Sequence, residues 1–191
     1  PAAFPFQRDI IHWALRLGRA ALFADCGLGK TLMQLEWGSH VSWETGKPVL
    51  LLCPIAVAEQ TLAEHAKFGI QCQCRIVSDQ SEVGHGINIC NYEKLHRLRA
   101  ESFGGVILDE SSILKNYTGK TKQQLCESFS GTKYKLACTA TPAPNDHMEL
   151  GNHAEFLGVM RSSEMLSRWF INDTMKAGGY RLRGHGAADF W

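Results

Sequence analysis

Lys30 and Thr31, standing directly behind Gly27-Leu28-Gly29, carry the most legible chemistry in this sequence. Glycines at 27 and 29 let the backbone turn tightly, so that successive N–H groups converge on an anion. A helix that starts there aims the positive end of its dipole at the same point. A lysine amine in that position can bridge terminal phosphates, and a threonine hydroxyl can bind magnesium. The loop Ala24-Asp25-Cys26-Gly27-Leu28-Gly29-Lys30-Thr31 therefore reads as a phosphate-binding loop. The plainer alternative is a glycine turn with an exposed lysine, and the strand-to-helix setting argues against it.

A second group of chemistry-bearing residues ends the apolar run Gly104-Gly105-Val106-Ile107-Leu108-Asp109-Glu110. Phosphate transfer needs one carboxylate to hold magnesium and a second group to orient the attacking water. Asp109 and Glu110 suit those roles in that order. Alone, such a pair is more often a solvated loop start; the upstream loop reverses that balance. A third strand-like run, Lys135-Leu136-Ala137-Cys138, enters Thr139-Ala140-Thr141-Pro142-Ala143-Pro144-Asn145, where Thr139 and Thr141 can link a phosphate site to a neighbouring surface by hydrogen bonds. The same stretch also reads as a Pro-rich turn capping the next helix.

The elements that must position these residues follow from periodicity. Short apolar runs at 20–24, 49–53, 75–77, 87–90, 106–108 and 134–138 read as strands. Three-to-four spacing predicts helices at 31–37, 57–68, 92–98, 121–129 and 146–157. Alternating strands and helices build a mostly parallel sheet with helices on both faces, and ligands of such sheets gather at the carboxyl ends of the strands. The fold expected is thus α/β. Segments 78–86 and 177–186 read as a loop and a connector.

Composition adds limits. The chain has 191 residues, is 45% hydrophobic and 20% charged, and sets 20 Lys plus Arg against 19 Asp plus Glu. An extended basic coat is excluded, although a nucleic-acid partner is not. With no apolar run long enough for a membrane span and no secretory leader, a cytoplasmic protein without a membrane partner is expected. The seven cysteines follow no paired spacing and read mostly as buried thiols; Cys72 and Cys74 lack a zinc-spaced partner pair. His147, His153 and His185 show no metal spacing and read as caps, surface or core groups. Trp13, Trp37, Trp43 and Trp169 read as packing anchors. The chain starts at Pro1 and stops at Trp191 just after Ala-Ala-Asp-Phe, so a fragment of a longer protein is expected.

Together these segments resemble the first ATPase lobe of superfamily-two helicases, and within it the Swi/Snf-type double-stranded DNA translocases, especially bacterial and phage members. Phe6-Gln7 resembles the upstream glutamine motif that reads adenine, Ala24 to Thr31 is similar to motif I, and Cys53-Pro54 through Gln60 to Phe68 resembles motif Ia. Asn91-Tyr92-Glu93 looks like a later DNA-touching motif. Asp109-Glu110-Ser111-Ser112 stands where the DEAD/DEAH-box family has Asp-Glu-Ala-His, Lys115-Asn116 follows at the usual place, and Cys138-Thr139-Ala140-Thr141-Pro142 with Asn145 resembles motif III. Ala24, Ser112 and Ala140 depart from the family pattern; Ser112 puts one coupling contact in doubt and leaves both carboxylates intact.

The resemblance implies a RecA-like P-loop lobe over 1–160, with 161–191 as an extension or connector toward a second lobe. It implies ATP and Mg as cofactors: Gln7, Gly27, Leu28, Gly29, Lys30 and Thr31 at the nucleotide, Thr31 and Asp109 at the metal, and Lys30, Asp109 and Glu110 in catalysis. It implies sequence-independent contact with DNA phosphates through Pro54, Gln60, Tyr92, Lys115 and Asn116, with Lys120 and Lys122 as weaker candidates, and coupling through Thr139 and Thr141. Lobe one lacks the second lobe's arginine fingers, which contribute about 10³–10⁵ in rate in related nucleotide hydrolases, so it should hydrolyse ATP poorly alone. Two rivals remain at this point: another P-loop enzyme such as a kinase or GTPase, and a nonenzymatic nucleic-acid-binding module of the same shape.

Overall fold

The computed structural model describes residues 3–115, 120–143, 147–173 and 179–190. Helix α1 (Pro5–Leu17) leads into strand β1 (Arg19–Phe23), the glycine loop and helix α2 (Lys30–Thr45). Strand β2 (Val49–Cys53), helix α3 (Ala58–Phe68), and strands β3 (Cys74–Ile76), β4 (Ile87–Asn91) and β5 (Gly105–Asp109) follow. Helix α4 (Lys120–Ser128), strand β6 (Tyr134–Thr139), helices α5 (Leu150–Leu157) and α6 (Ser162–Trp169), strands β7 (Phe170–Asp173) and β8 (Gly179–Leu182), and the short α7 (Ala187–Phe190) complete the described chain.

Among the described residues, β1 to β6 form one parallel sheet in the order β1-β6-β5-β2-β4-β3. This is the α/β arrangement expected from the alternation of strands and helices, and it fits the RecA-like lobe that the resemblance implies. Side chains alternate across the strands, so each run supplies both faces. Leu51, Ile89, Ile107 and Leu136 join Leu32, Leu35, Trp37 and Val41 of α2 in one core. Leu50, Leu52, Val106 and Leu108 pack on the other face with Leu125, Phe129, Phe156 and Leu157. Burial on both faces explains why β2 reads as an unbroken apolar run rather than an alternating one.

Helix α2 sits close on the sheet because Gly38 has no side chain; a Cβ there would lie 3.2 Å from Ile107 Cδ1 and from Ile87 Cδ1. Helix α5 is fixed at its C-terminal end by two cations from the sheet. Lys135 Nζ donates to the Phe156 carbonyl at 2.9 Å, and Arg19 reaches the Leu157 carbonyl at 3.4 Å, satisfying carbonyls that the helix leaves open. Burial, reinforced by Arg19, holds the Lys135 amine down at about 8. The antiparallel β7–β8 pair packs around a small separate cluster of Met165, Trp169 and Phe170.

Several details differ from the sequence expectation. Helix α1 is absent from the periodicity reading, although its buried Gln7, Ile11 and Ala14 recur at three-to-four spacing; Phe6, Trp13 and Leu17 lie exposed. The predicted helix at 92–98 is a 3-10 segment, Tyr92–Arg97, capped by the Asn91 side chain. The helix predicted at 146–157 is a 3-10 turn, His147–Glu149, followed by α5; Asp146 lies outside the described residues, as do Pro144 and Asn145. Trp37 and Trp169 are buried anchors, whereas Trp13 and Trp43 are 43% and 81% exposed, outside the buried core. Of the seven cysteines, Cys53, Cys90 and Cys138 are buried, Cys72, Cys74 and Cys126 are half-buried and Cys26 is exposed, so the expectation of mostly buried thiols is not met. No described helix is long and apolar enough to cross a membrane.

Candidate functional site

The glycine loop leaves β1 and enters α2 at the carboxyl edge of the sheet. Gly27 and Gly29 have φ of 83° and 78°, the left-handed region that residues with a Cβ avoid, so both glycines are needed for this turn. Gln7 of α1 lies against the loop. Its Nε2 donates to the Leu28 carbonyl at 2.9 Å, and its Oε1 accepts from the Phe4 N–H at 2.9 Å. A Cβ on Gly29 would stand 2.4 Å from that same Nε2. Lys30 folds its amine back over the loop, donating to the Ala24 and Asp25 carbonyls at 2.8 and 3.1 Å.

The acids emerge two strands away. β6 separates β1 from β5, with Phe23 level with Thr139 and Asp109 level with Cys138. Two strand spacings put the loop and the acids about 10 Å apart at the backbone, a gap that a lysine side chain and a phosphate group readily bridge. One turn beyond Lys30, Gln34 Nε2 donates to Asp109 Oδ1 at 2.7 Å, tying α2 directly to the acidic strand. Burial pushes the Asp109 carboxyl up; the Gln34 hydrogen bond opposes this, Glu110 adds to it and Lys30 opposes it. A buried carboxylate with a second one beside it is a place where added positive charge is favoured.

Glu110 adopts φ of 54°, unusual for a residue with a side chain. Its surroundings hold it there. Thr139 Oγ1 donates to Glu110 Oε1 at 2.8 Å, and Ser112 Oγ donates to the same oxygen at 3.1 Å. Thr139 also receives the Thr141 N–H at 3.0 Å, so the two threonines expected to couple are themselves linked. The Tyr92 hydroxyl donates to the Asp109 carbonyl at 2.7 Å.

Lys30, Asp109 and Glu110, distant in the chain, thus share one edge with Gln7, Leu28, Thr31 and Thr139. The expected nucleic-acid residues divide. Pro54 and Gln60 are exposed after β2, although Gln60 bonds Glu64 at 3.1 Å. Tyr92 is only 7% exposed, so it braces Asp109 instead of facing a strand of DNA. Lys122 is buried and pairs with Glu155 at 2.8 Å, which removes it as a surface contact. Asn116 lies outside the described residues, and Lys115 ends the 3-10 segment Ser111–Lys115.

Two site residues escaped the sequence reading. Gln34 carried no motif, and only its i+4 spacing from Lys30 could have flagged it. His153 lies under the acidic turn, its Nε2 3.0 Å from Ser111 Oγ. Among the described residues no cluster of His, Cys, Asp and Glu could by itself hold a metal ion.

Comparison with known proteins adds the following. A family model described as an SNF2-related domain matches residues 6–183. Protein p41 of Acyrthosiphon pisum secondary endosymbiont phage 1 is 29% identical over 195 residues, covering 87% of this chain and 42% of that protein. The SWI/SNF-related matrix-associated actin-dependent regulator of chromatin subfamily A-like protein 1 of Xenopus laevis is 28% identical over 156 residues, covering 76% of this chain and 16% of that protein. A solved Sulfolobus solfataricus SWI2/SNF2 ATPase core in complex with dsDNA superposes with a TM-score of 0.76 at 26% identity, over 88% of this chain and 39% of that one. The chain therefore spans less than half the length of these relatives.

Proposed function

The chain belongs to the SNF2-related family, and from that membership we propose that it supplies the first ATP-binding lobe of a DNA-dependent ATPase that moves along double-stranded DNA without reading sequence. The observation that carries the reading is the Gln34–Asp109 hydrogen bond, which locks the helix behind the glycine loop onto the acidic strand. The solved SWI2/SNF2 core with dsDNA supports the choice of partner.

The residues present fit a magnesium ion beside a triphosphate: Asp109 is a buried carboxylate adjacent to Glu110, and Thr31 offers a hydroxyl at the start of α2. When bound, magnesium supplies charge neutralisation at the terminal phosphates. The protein's own part is positioning. Loop N–H groups from Gly27 to Thr31 receive the phosphates, and the Lys30 amine exchanges its Ala24 and Asp25 carbonyls for phosphate oxygens. Glu110 has Oε1 fixed by Thr139 and Ser112, which leaves Oε2 to orient and polarise the attacking water. Gln7 serves the nucleotide site by bracing Leu28. This makes the acid pair a DEAD/DEAH-like box with Ser112 in the last place.

Pro54, Gln60, Lys115 and Asn116 are the proposed DNA-phosphate contacts, and Thr139 with Thr141 the proposed coupling link. Residues 1–160 serve as the lobe and 161–191 as the connector toward a second lobe, a division supported by the separate cluster at Trp169. The free thiols fit a reducing compartment such as the cytoplasm.

The test compares Lys30→Ala with Glu110→Gln in the intact protein. Lys30→Ala should lose nucleotide binding, while Glu110→Gln should bind ATP yet lose about 10²–10⁴-fold in DNA-stimulated turnover. Near-normal turnover in both variants rejects the assignment.

A further inference from the structure

Helix α5 lies beneath the acidic turn, on the sheet face away from α2, and it is anchored at several points. Lys135 and Arg19 hold its last carbonyls. Glu155 joins Lys122 of α4 at 2.8 Å and Ser162 of α6 at 2.6 Å. From this strut His153 projects into the core, 2% exposed, and meets two parts of the nucleotide site at once. Its Nε2 lies 3.0 Å from the hydroxyl of Ser111, which is wholly buried and directly follows Glu110. Its ring meets Phe23, the last residue of β1 before the glycine loop, edge to face at 5.3 Å.

A buried hydroxyl needs an acceptor, and the imidazole supplies one if Nε2 carries no proton. Burial holds the His153 ring below the ordinary histidine value, against the opposing influence of the Glu149 backbone and then its carboxylate. The bond to Ser111 is the polar tie this ring makes to the site. Glu110 meanwhile keeps a left-handed backbone, a conformation that persists only where its neighbours impose it. Tyr92 fixes the residue before it, Thr139 and Ser112 fix its carboxylate, and His153 fixes the residue after it.

We propose that His153 is a positioning residue for the water-activating carboxylate: by holding Ser111 it maintains the turn that aims Glu110, and by packing on Phe23 it keeps that turn in register with the phosphate loop. The inference rests on the ATPase reading above. It makes α5 the element through which movement of α4 or α6 reaches the acid pair.

The experiment uses His153→Leu, His153→Gln, Ser111→Ala and the His153→Leu/Ser111→Ala double variant of the intact protein. Turnover and KM for Mg-ATP at saturating double-stranded DNA are read beside nucleotide affinity and thermal unfolding. His153→Leu should lower kcat by about 10²-fold with KM and affinity nearly unchanged, as expected when a reacting group is misplaced by about 1 Å. His153→Gln, whose amide can accept from Ser111, should recover most of the loss. Ser111→Ala removes the same bond with little change of volume, so the test stands even where His153→Leu does not fold, and the double variant should be no worse than the worse single one. A kcat within twofold of the parent in folded His153→Leu or Ser111→Ala overturns the proposal, as does a loss that glutamine does not relieve. Should the unaltered protein hydrolyse no ATP on DNA, the ATPase reading fails by itself. Amide exchange at 109–112 then decides the positioning: about tenfold faster in Ser111→Ala supports it, and unchanged exchange overturns it.

Discussion

Gly29→Ala is the substitution whose cost the structure lets us divide into parts. An alanine at φ of 78° carries about 1–2 kcal/mol of left-handed strain. Its Cβ would also stand 2.4 Å from Gln7 Nε2, so the Gln7 amide must move and release the Leu28 carbonyl, about 0.5–1.5 kcal/mol more for the hydrogen bond alone. A total of about 1.5–3.5 kcal/mol falls on the loop conformation proposed to receive phosphate. If the loop relaxes to avoid it, ATP affinity should fall roughly 10- to 400-fold. Gly27→Ala is the control: φ is 83°, yet a Cβ there meets nothing within 4 Å, so only the strain remains and the loss should be roughly 5- to 30-fold. Titration calorimetry with a nonhydrolysable ATP analogue measures both, and thermal unfolding shows how much of the cost stays in the fold. Adding Gln7→Ala to Gly29→Ala should return the difference between the two glycine variants. Equal losses at 27 and 29, or strict additivity of Gln7→Ala with Gly29→Ala, would refute the bracing role of Gln7.

Two further expectations concern pH and one concerns packing. Because burial lowers the His153 pKa, the unfolded chain binds more protons just below pH 6.5, so stability should fall as pH drops from 6.5 toward the lower folded value. Thermal unfolding at stepped pH reads this slope, and His153→Gln should flatten it. Lys135 titrates near 8 in the fold against 10.5 in the open chain, so its own contribution to stability should rise with pH across that window, read as the difference between the parent and Lys135→Met because the buried thiols, raised above 9.0, slope the other way. Trp37→Ala, at 1% exposure, should cost about 3–5 kcal/mol in urea unfolding, whereas Trp43→Ala, at 81%, should stay within about 0.5 kcal/mol.

The parts legible in the sequence were those whose periodicity or backbone demands are local. Glycines at 27 and 29 announce positive φ, and the apolar runs from Val49 to Cys53 and from Gly105 to Asp109 announce strands buried on both faces. The site residues that depend on tertiary placement were not legible. Gln34 has no partner nearby in sequence, since Asp109 lies 75 residues on. The resemblance of Asn91-Tyr92-Glu93 to a DNA-touching motif makes Tyr92 an expected DNA contact, but its ring turns inward and its hydroxyl finds the Asp109 carbonyl. His153 reads in sequence as a cap, surface or core histidine, since nothing in one dimension places it beneath Ser111, 42 residues earlier. Lys122 misled in the opposite way: a lysine on a polar helix reads as solvated, yet α5 presents Glu155 to it.

The order of strands explains why the loop and the acids belong to one device instead of two neighbouring sites. β6 lies between β1 and β5, so its last residue is the shared wall of the cleft. Thr139 accepts the Ala24 N–H on its carbonyl at 3.2 Å, at the mouth of the glycine loop, while its hydroxyl donates to Glu110. Backbone and side chain of one buried residue therefore grip the two halves proposed to act on the same phosphate. A displacement of the β6 terminus cannot leave the loop and the Glu110 carboxylate both undisturbed, because an interior packed at crystal-like density transmits small shifts rather than absorbing them. On the proposed function, the Thr139–Ala140–Thr141 segment is thus where a surface event would meet the chemistry from above, as α5 would meet it from below through His153.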